Sequence, residues 1–408
     1  MSALKLKNFK HAAIIPLIGG FSIAATNITK NFPEAIFSYK LFFENDKLYL
    51  RYLAKHDKYP PYYQIDQDNF DKDSCKSYKN LDFITGILPC SGLSMSGNLG
   101  KGERATSPVN EWMYNAASFV MGILRPIIYT FENAPTLYTD AGEVVRNKLI
   151  EIARCNGYTA TFYKTDTLLH GIPQKRPRTY IIFYKGKFAP ILEYEKKDTI
   201  NVEEYLKSIP KNATLQDKYA TKEPFIDDFE IVRFCKEKFG DNWRQEFLNV
   251  RDHLTSYDFL NRKGLLEKFK YFVENEPNPN SSSVKDINHV IKKLSIGKNF
   301  RLSHRVLCID KHHIYSIVGE MMERNIHPVE NRRINIREYM HLMGMPHDFD
   351  LLESKEYGKL PQNTPVKTSE FIIKEIIEII KDNRNFSQER FYYQNNMKHE
   401  PIKNKSLF

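Results

Sequence analysis

Four short stretches of the chain hold side chains that could do chemistry. In LPCSGLSMSG, Leu88 to Gly97, a thiol follows a proline at the end of an apolar run and precedes a Gly/Ser-rich loop. The proline fixes the backbone and the loop can fold over a substrate, so Cys90 is offered to a pocket as a nucleophile. In FENAP, Phe131 to Pro135, Glu132 ends another apolar run. It is a candidate proton donor, provided that burial or a hydrogen-bonded partner raises its carboxyl above the ordinary pKa of about 4.3. In GIPQKRPRTYIIF, Gly171 to Phe183, a strand would put Gln174, Arg176 and Arg178 on one face and Lys175, Pro177 and Thr179 on the other. Two guanidiniums in a crevice bind phosphate, orient a carboxylate or stabilise developing negative charge. Finally, IGGFS, Ile18 to Ser22, follows the first apolar run, and Glu44 follows the second. Glycines at a strand-to-helix turn let the backbone approach a ligand, and an acid after the second strand is placed for ribose hydroxyls.

Bringing these groups together requires a parallel sheet. From Ala12 to about Lys187, short apolar runs alternate with amphipathic segments, the pattern of an α/β fold. Strands are expected at Ala12 to Leu17, Ala35 to Phe43, Asp82 to Ile87, Ile127 to Phe131, Thr159 to Tyr163 and Thr179 to Tyr184, and helices at Lys47 to Ala54, Asn115 to Leu124 and Gly142 to Cys155. Ligands bind at the carboxyl ends of such strands, so Cys90 and Glu132 should face one crevice. From about Phe188 to Glu330 the rhythm is lost, and EPNPNSSS, Glu276 to Ser283, breaks both periodicities. Regularity returns near Ile336 to Met343 and in SEFIIKEIIEII, Ser369 to Ile380. The division expected is 1–187, 188–330, 331–384 and a basic, loosely ordered tail at 385–408.

Composition bounds the rest. At 408 residues, with 41% apolar and 13% aromatic residues, the chain is long enough for two folded domains, and no apolar run has the ~20 residues of a membrane span. The basic start before IIPLIGG has the outline of a signal peptide but reads better as a buried strand. Cys75, Cys90, Cys155, Cys235 and Cys308 are scattered, odd in number and without metal-ligand spacing, so a reducing cytoplasm and no zinc or other metal are expected. A net charge of +10 favours a polyanionic partner.

In this order the stretches resemble the cytosine-5 DNA methyltransferase family. PCSGLSMSG is similar to its Pro-Cys-Gln-x-Phe-Ser-x-x-Gly, ENAP to its Glu-Asn-Val, and GIPQKRPR to its Gln-x-Arg-x-Arg. IHPVENRRINIREYMHLMGMPHDF, Ile326 to Phe349, is similar to its Arg-x-Leu-Thr-x-Arg-Glu block and the Gly-Phe-Pro after it. QNTPV, Gln362 to Val366, matches the block whose Asn faces the cofactor, which makes Asn363 the counterpart.

The resemblance implies a Rossmann-like methyltransferase sheet with helices on both faces, plus a smaller, irregular target-recognition domain. It implies S-adenosylmethionine as cofactor, held by Ile18, Gly19, Gly20, Phe21, Glu44, Pro89, Asn363 and an acid for the adenine amino group, either Asp66 or Asp68. Double-stranded DNA is the implied partner and a monomer the implied state, in a bacterial or phage-infected cell. Cys90 would add to carbon 6 of a flipped-out cytosine, with Glu132, Arg176 and Arg178 around the base and Asn133 orienting Glu132. Ser91 to about Asn110 is the candidate closing loop, and KNFRLSHR, Lys298 to Arg305, a candidate backbone contact. Departures concentrate in the first block, where the family's Asp, aromatic and first Gly are Ala13, Ile15 and Leu17, and they continue with Ser91 for Gln and Gln362 for Gly. Transfer to RNA, use of a modified donor and DNA binding without turnover are the competing expectations.

Overall fold

Apolar runs buried on both faces form the strands of one mixed sheet in the computed structural model. The structure describes residues 8–93, 106–211, 230–248, 256–276, 281–297, 307–308, 313–317, 325–330, 332–351 and 353–398. The candidate contact KNFRLSHR and the middle of the candidate closing loop lie outside the described residues. Two units are distinguished, residues 1–199 with 343–408, and residues 200–342.

The first unit carries the sheet. Its strands are β1 (His11–Ile14), β2 (Ile36–Ser38), β3 (Tyr62–Gln64), β4 (Phe83–Ile87), β5 (Ile128–Asn133), β6 (Thr159–Asp166), β7 (Pro177–Tyr184) and β8 (Phe391–Asn395). They lie in the order β8-β6-β7-β5-β4-β1-β2-β3. All neighbours are parallel except β7, which runs antiparallel to both β5 and β6. β1, β4 and β5 are buried along their whole length, as the centre of a sheet covered on both faces must be. Helices α1 (Gly20–Thr29), α2 (Phe43–Lys55), α3 (Asn110–Phe119) and α4 (Glu143–Cys155) follow β1, β2, β4 and β5 in the chain. Phe37, Phe83, Phe131, Phe162 and Phe183 are fully buried in the core.

The ends of β1 and β2 and the tail are among the places where the structure differs from the sequence-based expectation. β1 stops at Ile14 because Ile15 and Leu17 take left-handed backbone angles, φ 48° and 52°, which end a strand. β2 stops at Ser38, because Lys40–Phe42 form a 3₁₀ turn that leads directly into α2. Glu44 consequently sits in a helix rather than at a strand end. The tail expected to be loosely ordered instead supplies β8, which pairs with β6 from Phe391 opposite Ala160 to Asn395 opposite Lys164. Gln394 holds it in place by donating to Leu192 O at 2.6 Å and accepting from Leu192 N at 2.9 Å.

The second unit is largely helical among its described residues. α5 (Glu230–Phe239), α6 (Leu266–Glu274) and α7 (Ser281–Ser295) contribute Phe234, Phe269, Val273, Ile287 and Val290 to one buried cluster. α8 (Ile336–Leu342) opens on a capping box in which Asn335 Oδ1 accepts from Glu338 N and Glu338 Oε2 from Asn335 N, at 2.9 and 3.0 Å. The Arg332 guanidinium forks onto the same carboxylate at 2.6 and 2.9 Å. This unit extends past the expected boundary at Glu330 because α8 packs on the segment before it, with Tyr205 against the His341 ring and Arg337 donating to Pro210 O. At the other boundary, residues after 187 stay with the sheet, since Ile191 N donates to Asn385 O and Glu193 N to Glu375.

The chain then returns to the first unit, where α9 (Val366–Ile380) lies against α1, joined by Asn27 Nδ2 to Glu370 Oε1 at 2.8 Å. Among the described residues no helix is long and apolar enough to cross a membrane.

Candidate active site

The carboxyl ends of β4 and β5 and the amino end of β7 meet at one point. Glu132 is the neighbour of Ile87 across the β4–β5 ladder, and Leu88, Pro89 and Cys90 continue the chain from Ile87. Because β7 is antiparallel to β5, its first residues lie beside the last ones of β5, with Thr179 opposite Asn133. A run of alternating residues thereby brings Arg178 to Glu132, Nε to Oε1 at 2.6 Å. The sequence supplies both charges, and the reversed strand brings them into contact.

Each of the remaining groups is fixed by a different element. Asn133 Nδ2 reaches toward the carbonyls of Leu88 and Pro89 at 3.5 and 3.4 Å, while its Oδ1 accepts from Ala134 N at 2.9 Å. It therefore ties the end of β5 to the peptide that carries Cys90. Arg176 is buried and braces the C-terminal return, donating through Nη2 to Pro361 O at 2.7 Å and Asn363 O at 2.9 Å. Its own backbone N donates to Asp166 at 3.1 Å.

Burial dominates the electrostatics. It pushes the Glu132 carboxyl up, against the opposing pull of Arg178 and Arg176. Burial also pushes the Cys90 thiol up and Glu132 adds to the effect, while Arg178 and Arg176 draw it down. The same environment lowers Arg176 to about 9, first through burial and then through Arg178. Burial thus favours the neutral carboxyl of Glu132, while the two guanidiniums and a backbone hydrogen bond favour the thiolate of Cys90.

Cys90 lies on the edge of a cavity of about 400 Å³. Leu17, Leu41, Phe42, Leu88, Val109 and Trp112 give it apolar walls, and Pro89, Ser91, Asn45 and Gln362 complete it. Trp112 packs edge-on against Tyr39 and Phe42. Gly92 lies so close to the far end of the loop that a Cβ there would come within 2.6 Å of Asn110 Oδ1. The two ends of the candidate closing loop are thus held together.

Of the residues expected to hold a cofactor, Pro89 lines the cavity; Ile18, Gly19, Gly20, Phe21, Glu44, Asp66 and Asn363 do not. The two glycines are required by packing. Gly19, at φ 91°, faces the Tyr49 ring so closely that a Cβ would lie 2.2 Å from it, and a Cβ at Gly20 would lie 2.4 Å from Thr364 O. Gly20 N donates to Asn363 Oδ1 at 2.9 Å, so Asn363 braces the start of α1 from within the core. Ile18 and Phe21 are buried, Phe21 edge-on to Tyr180. Glu44 is fully exposed and bonded to Lys47 at 2.6 Å, which holds its carboxyl below the usual range. Asp66 is exposed and accepts from Lys40 N at 2.9 Å.

Sequence reasoning missed Asp46, two residues beyond Glu44 and buried. It accepts from Leu17 N at 3.0 Å and from Tyr62 OH at 2.9 Å, and so holds the left-handed turn that lines the cavity. Burial pushes its carboxyl up to about 7. The signal was present in the helical period: within FENDKLYLRYLAK, Asp46, Tyr49 and Leu53 share the inward face, whereas Glu44 and Lys47 do not.

Solved methyltransferases share this fold. A protein described as a DNA modification methyltransferase encoded within an E. coli prophage matches with a TM-score of 0.55 at 16% identity, covering 91% of this chain and 99% of that one. The Entamoeba histolytica methyltransferase EhMeth matches with a TM-score of 0.54 at 14% identity, covering 92% and 99%. No curated protein matches the chain. The family model described as C-5 cytosine-specific DNA methylase matches residues 11–378.

Proposed function

The chain belongs to the C-5 cytosine-specific DNA methylase family, and from that premise we propose that it methylates carbon 5 of a flipped-out cytosine in a specific DNA sequence through a covalent Cys90 adduct. The observation that carries this reading is the buried Glu132–Arg178 pair beside a thiol at the edge of a cavity. S-adenosylmethionine would supply an electrophilic methyl group. The residues present fit such a donor: the volume and the Phe42–Trp112 wall suit an adenine ring, and Asn45 and Gln362 offer hydrogen bonds. The left-handed turn at Leu17, held by Asp46, would shape the wall beneath it.

Cytosine is not nucleophilic at carbon 5, so the enzyme must first make it so. As the thiol gives up its proton to solvent, aided by Arg176 and Arg178, Cys90 sulfur bonds to carbon 6. The carbon 5–carbon 6 electron pair is thereby pushed toward ring nitrogen 3, where Glu132 delivers its proton, and carbon 5 becomes an enamine carbon that takes the methyl group. When water removes the carbon 5 proton, the electrons return, Cys90 leaves, and nitrogen 3 gives its proton back to Glu132. A raised Glu132 pKa suits this role, because a carboxyl ionised at neutral pH would have no proton to give. Arg178 would hold the carboxyl in plane with the base, and Asn133 would hold the Pro89–Cys90 peptide in line with carbon 6. Carbon 6 is inaccessible in a stacked duplex, so the base must be extruded at a cost of a few kcal/mol. The loop beginning at Ser91 would close behind it, and the second unit would read the target.

Tritiated methyl transfer to mixed-sequence double-stranded DNA tests the reading, with fluorocytosine DNA to trap the adduct. Transfer and a trapped adduct are expected for the native chain, and neither for Cys90→Ala. DNA binding without transfer would overturn it.

A further inference from the structure

The cavity lies at the ends of β1, β2 and β4, yet among the described residues that line it none bears a carboxylate. Glu44, whose sequence position marks it for a ribose, is turned to solvent, its carboxylate on Lys47 at 2.6 Å and its backbone carbonyl accepting from Lys359. Among the described lining residues that follow β2 or belong to the C-terminal return, the polar side chains are the amides of Asn45 and Gln362. Asn45 stands on the first turn of α2, next to Phe42, and Gln362 on the turn that precedes α9. They meet each other, Asn45 Nδ2 to Gln362 Oε1 at 3.3 Å, and Gln362 Nε2 reaches Gly358 O at 3.4 Å. Both are long contacts and so weak ones.

We infer that Asn45 and Gln362, and not Glu44, form the ribose subsite for the donor, a refinement that rests on the function proposed above. Each sugar hydroxyl can both donate and accept, and each side-chain amide has an N–H group to donate and an oxygen to accept, so the pair can exchange its own long contact for bonds to a vicinal diol. Cys90 fixes the other end of the donor, because the methyl group must arrive beside carbon 5. With β4 and β2 lying on either side of β1, the nucleoside of a donor that spans the cavity falls against Phe42, Trp112 and these two amides. Neutral amides accept less strongly than a carboxylate, so this subsite binds by shape and stacking more than by charge.

The test is calorimetric titration of the full chain with S-adenosylhomocysteine and with its 2′-deoxyribose analogue. The native protein is expected to prefer the ribose form about tenfold. Asn45→Leu and Gln362→Leu should each weaken S-adenosylhomocysteine about tenfold and abolish the preference, while Glu44→Gln keeps both affinity and preference within about threefold. If the leucine variant at 45 does not fold, as judged by circular dichroism, Asn45→Ser is measured in its place. Loss of the ribose preference in Glu44→Gln, or its retention in both amide variants, would overturn the assignment and leave the proposed donor intact. Native protein that binds neither ligand would overturn both the assignment and the donor.

Discussion

The two sides of the crevice are built on different principles. On the β5 and β7 side a thiol, a carboxyl and two guanidiniums lie close enough to shift one another's ionisation, and burial sets the direction of each shift. On the β1 and β2 side the wall is apolar and aromatic, its polar side chains among the described residues are amides, and its shape depends on a left-handed leucine held by a buried carboxyl. Charge on the first side must sit at particular atoms, so a change of residue type removes the property itself. Shape on the second side can be reached from several sequences, because backbone and packing supply it. Most departures from the family pattern fall accordingly: Ala13, Ile15 and Leu17 stand on the shape side, whereas Cys90, Glu132, Arg176 and Arg178 stand together on the charge side, where Ser91 is the exception.

The contrast can be broken or sharpened by substitution. The largest effect is expected from Cys90→Ala, which should lower methyl transfer by about 10³-fold or more in a single-turnover assay while DNA binding in a gel-shift assay persists. Glu132→Gln keeps the shape but not the transferable proton and should cost about 10²–10³-fold in transfer rate. A loss below tenfold would mean that charge at this point is dispensable and the two sides are alike.

On the shape side, Asp46 makes stability depend on pH. Its folded pKa of about 7 lies above the ordinary value of 3.8, so the native state binds the extra proton. The stability this contributes is complete below about pH 4 and is lost as pH rises through about 7. Between pH 5 and 7 the native chain should lose about 2–3 kcal/mol relative to Asp46→Asn, read by urea denaturation at each pH. Parallel pH profiles for the two proteins would rule out Asp46 as the source. The smallest effect belongs to Gly20→Ala, whose added methyl meets Thr364 O and Asn363. A destabilisation of about 1–2 kcal/mol is expected, measured by the same denaturation, and an unchanged midpoint would show that this clasp is not tight.

How much of this was legible depends on what each residue does. The alternation of short apolar runs with amphipathic segments revealed the parallel sheet, since a strand buried on both faces has no polar side to show. The tail did not announce β8, because Phe391–Asn395 is an edge strand whose pairing with β6 is non-local and whose residues mix aromatic and polar types. Cys90, Glu132 and Arg178 could be singled out as candidates because side-chain type is local and they fall where strands were expected to end, and the fold brings Glu132 and Arg178 into contact. Glu44 was misplaced by the missing end of β2: with the strand stopping at Ser38, the acid lands on a helix one turn later and faces outward. Asp46 and Gln362 carried no chemical signature of their own, and only the surrounding backbone makes them part of the cavity.

By itself, then, the amino-acid sequence determined the fold class and the order of its strands along the chain and singled out the candidate reactive groups, because burial pattern and side-chain chemistry are local properties. Tertiary structure alone decided that Arg178 meets Glu132, that Arg176 and Asn363 brace the core, and that the amides of Asn45 and Gln362 line the cavity. Each of those contacts joins residues distant in sequence through an antiparallel strand, a helix face or a returning segment, and no local pattern encodes where such elements come to rest.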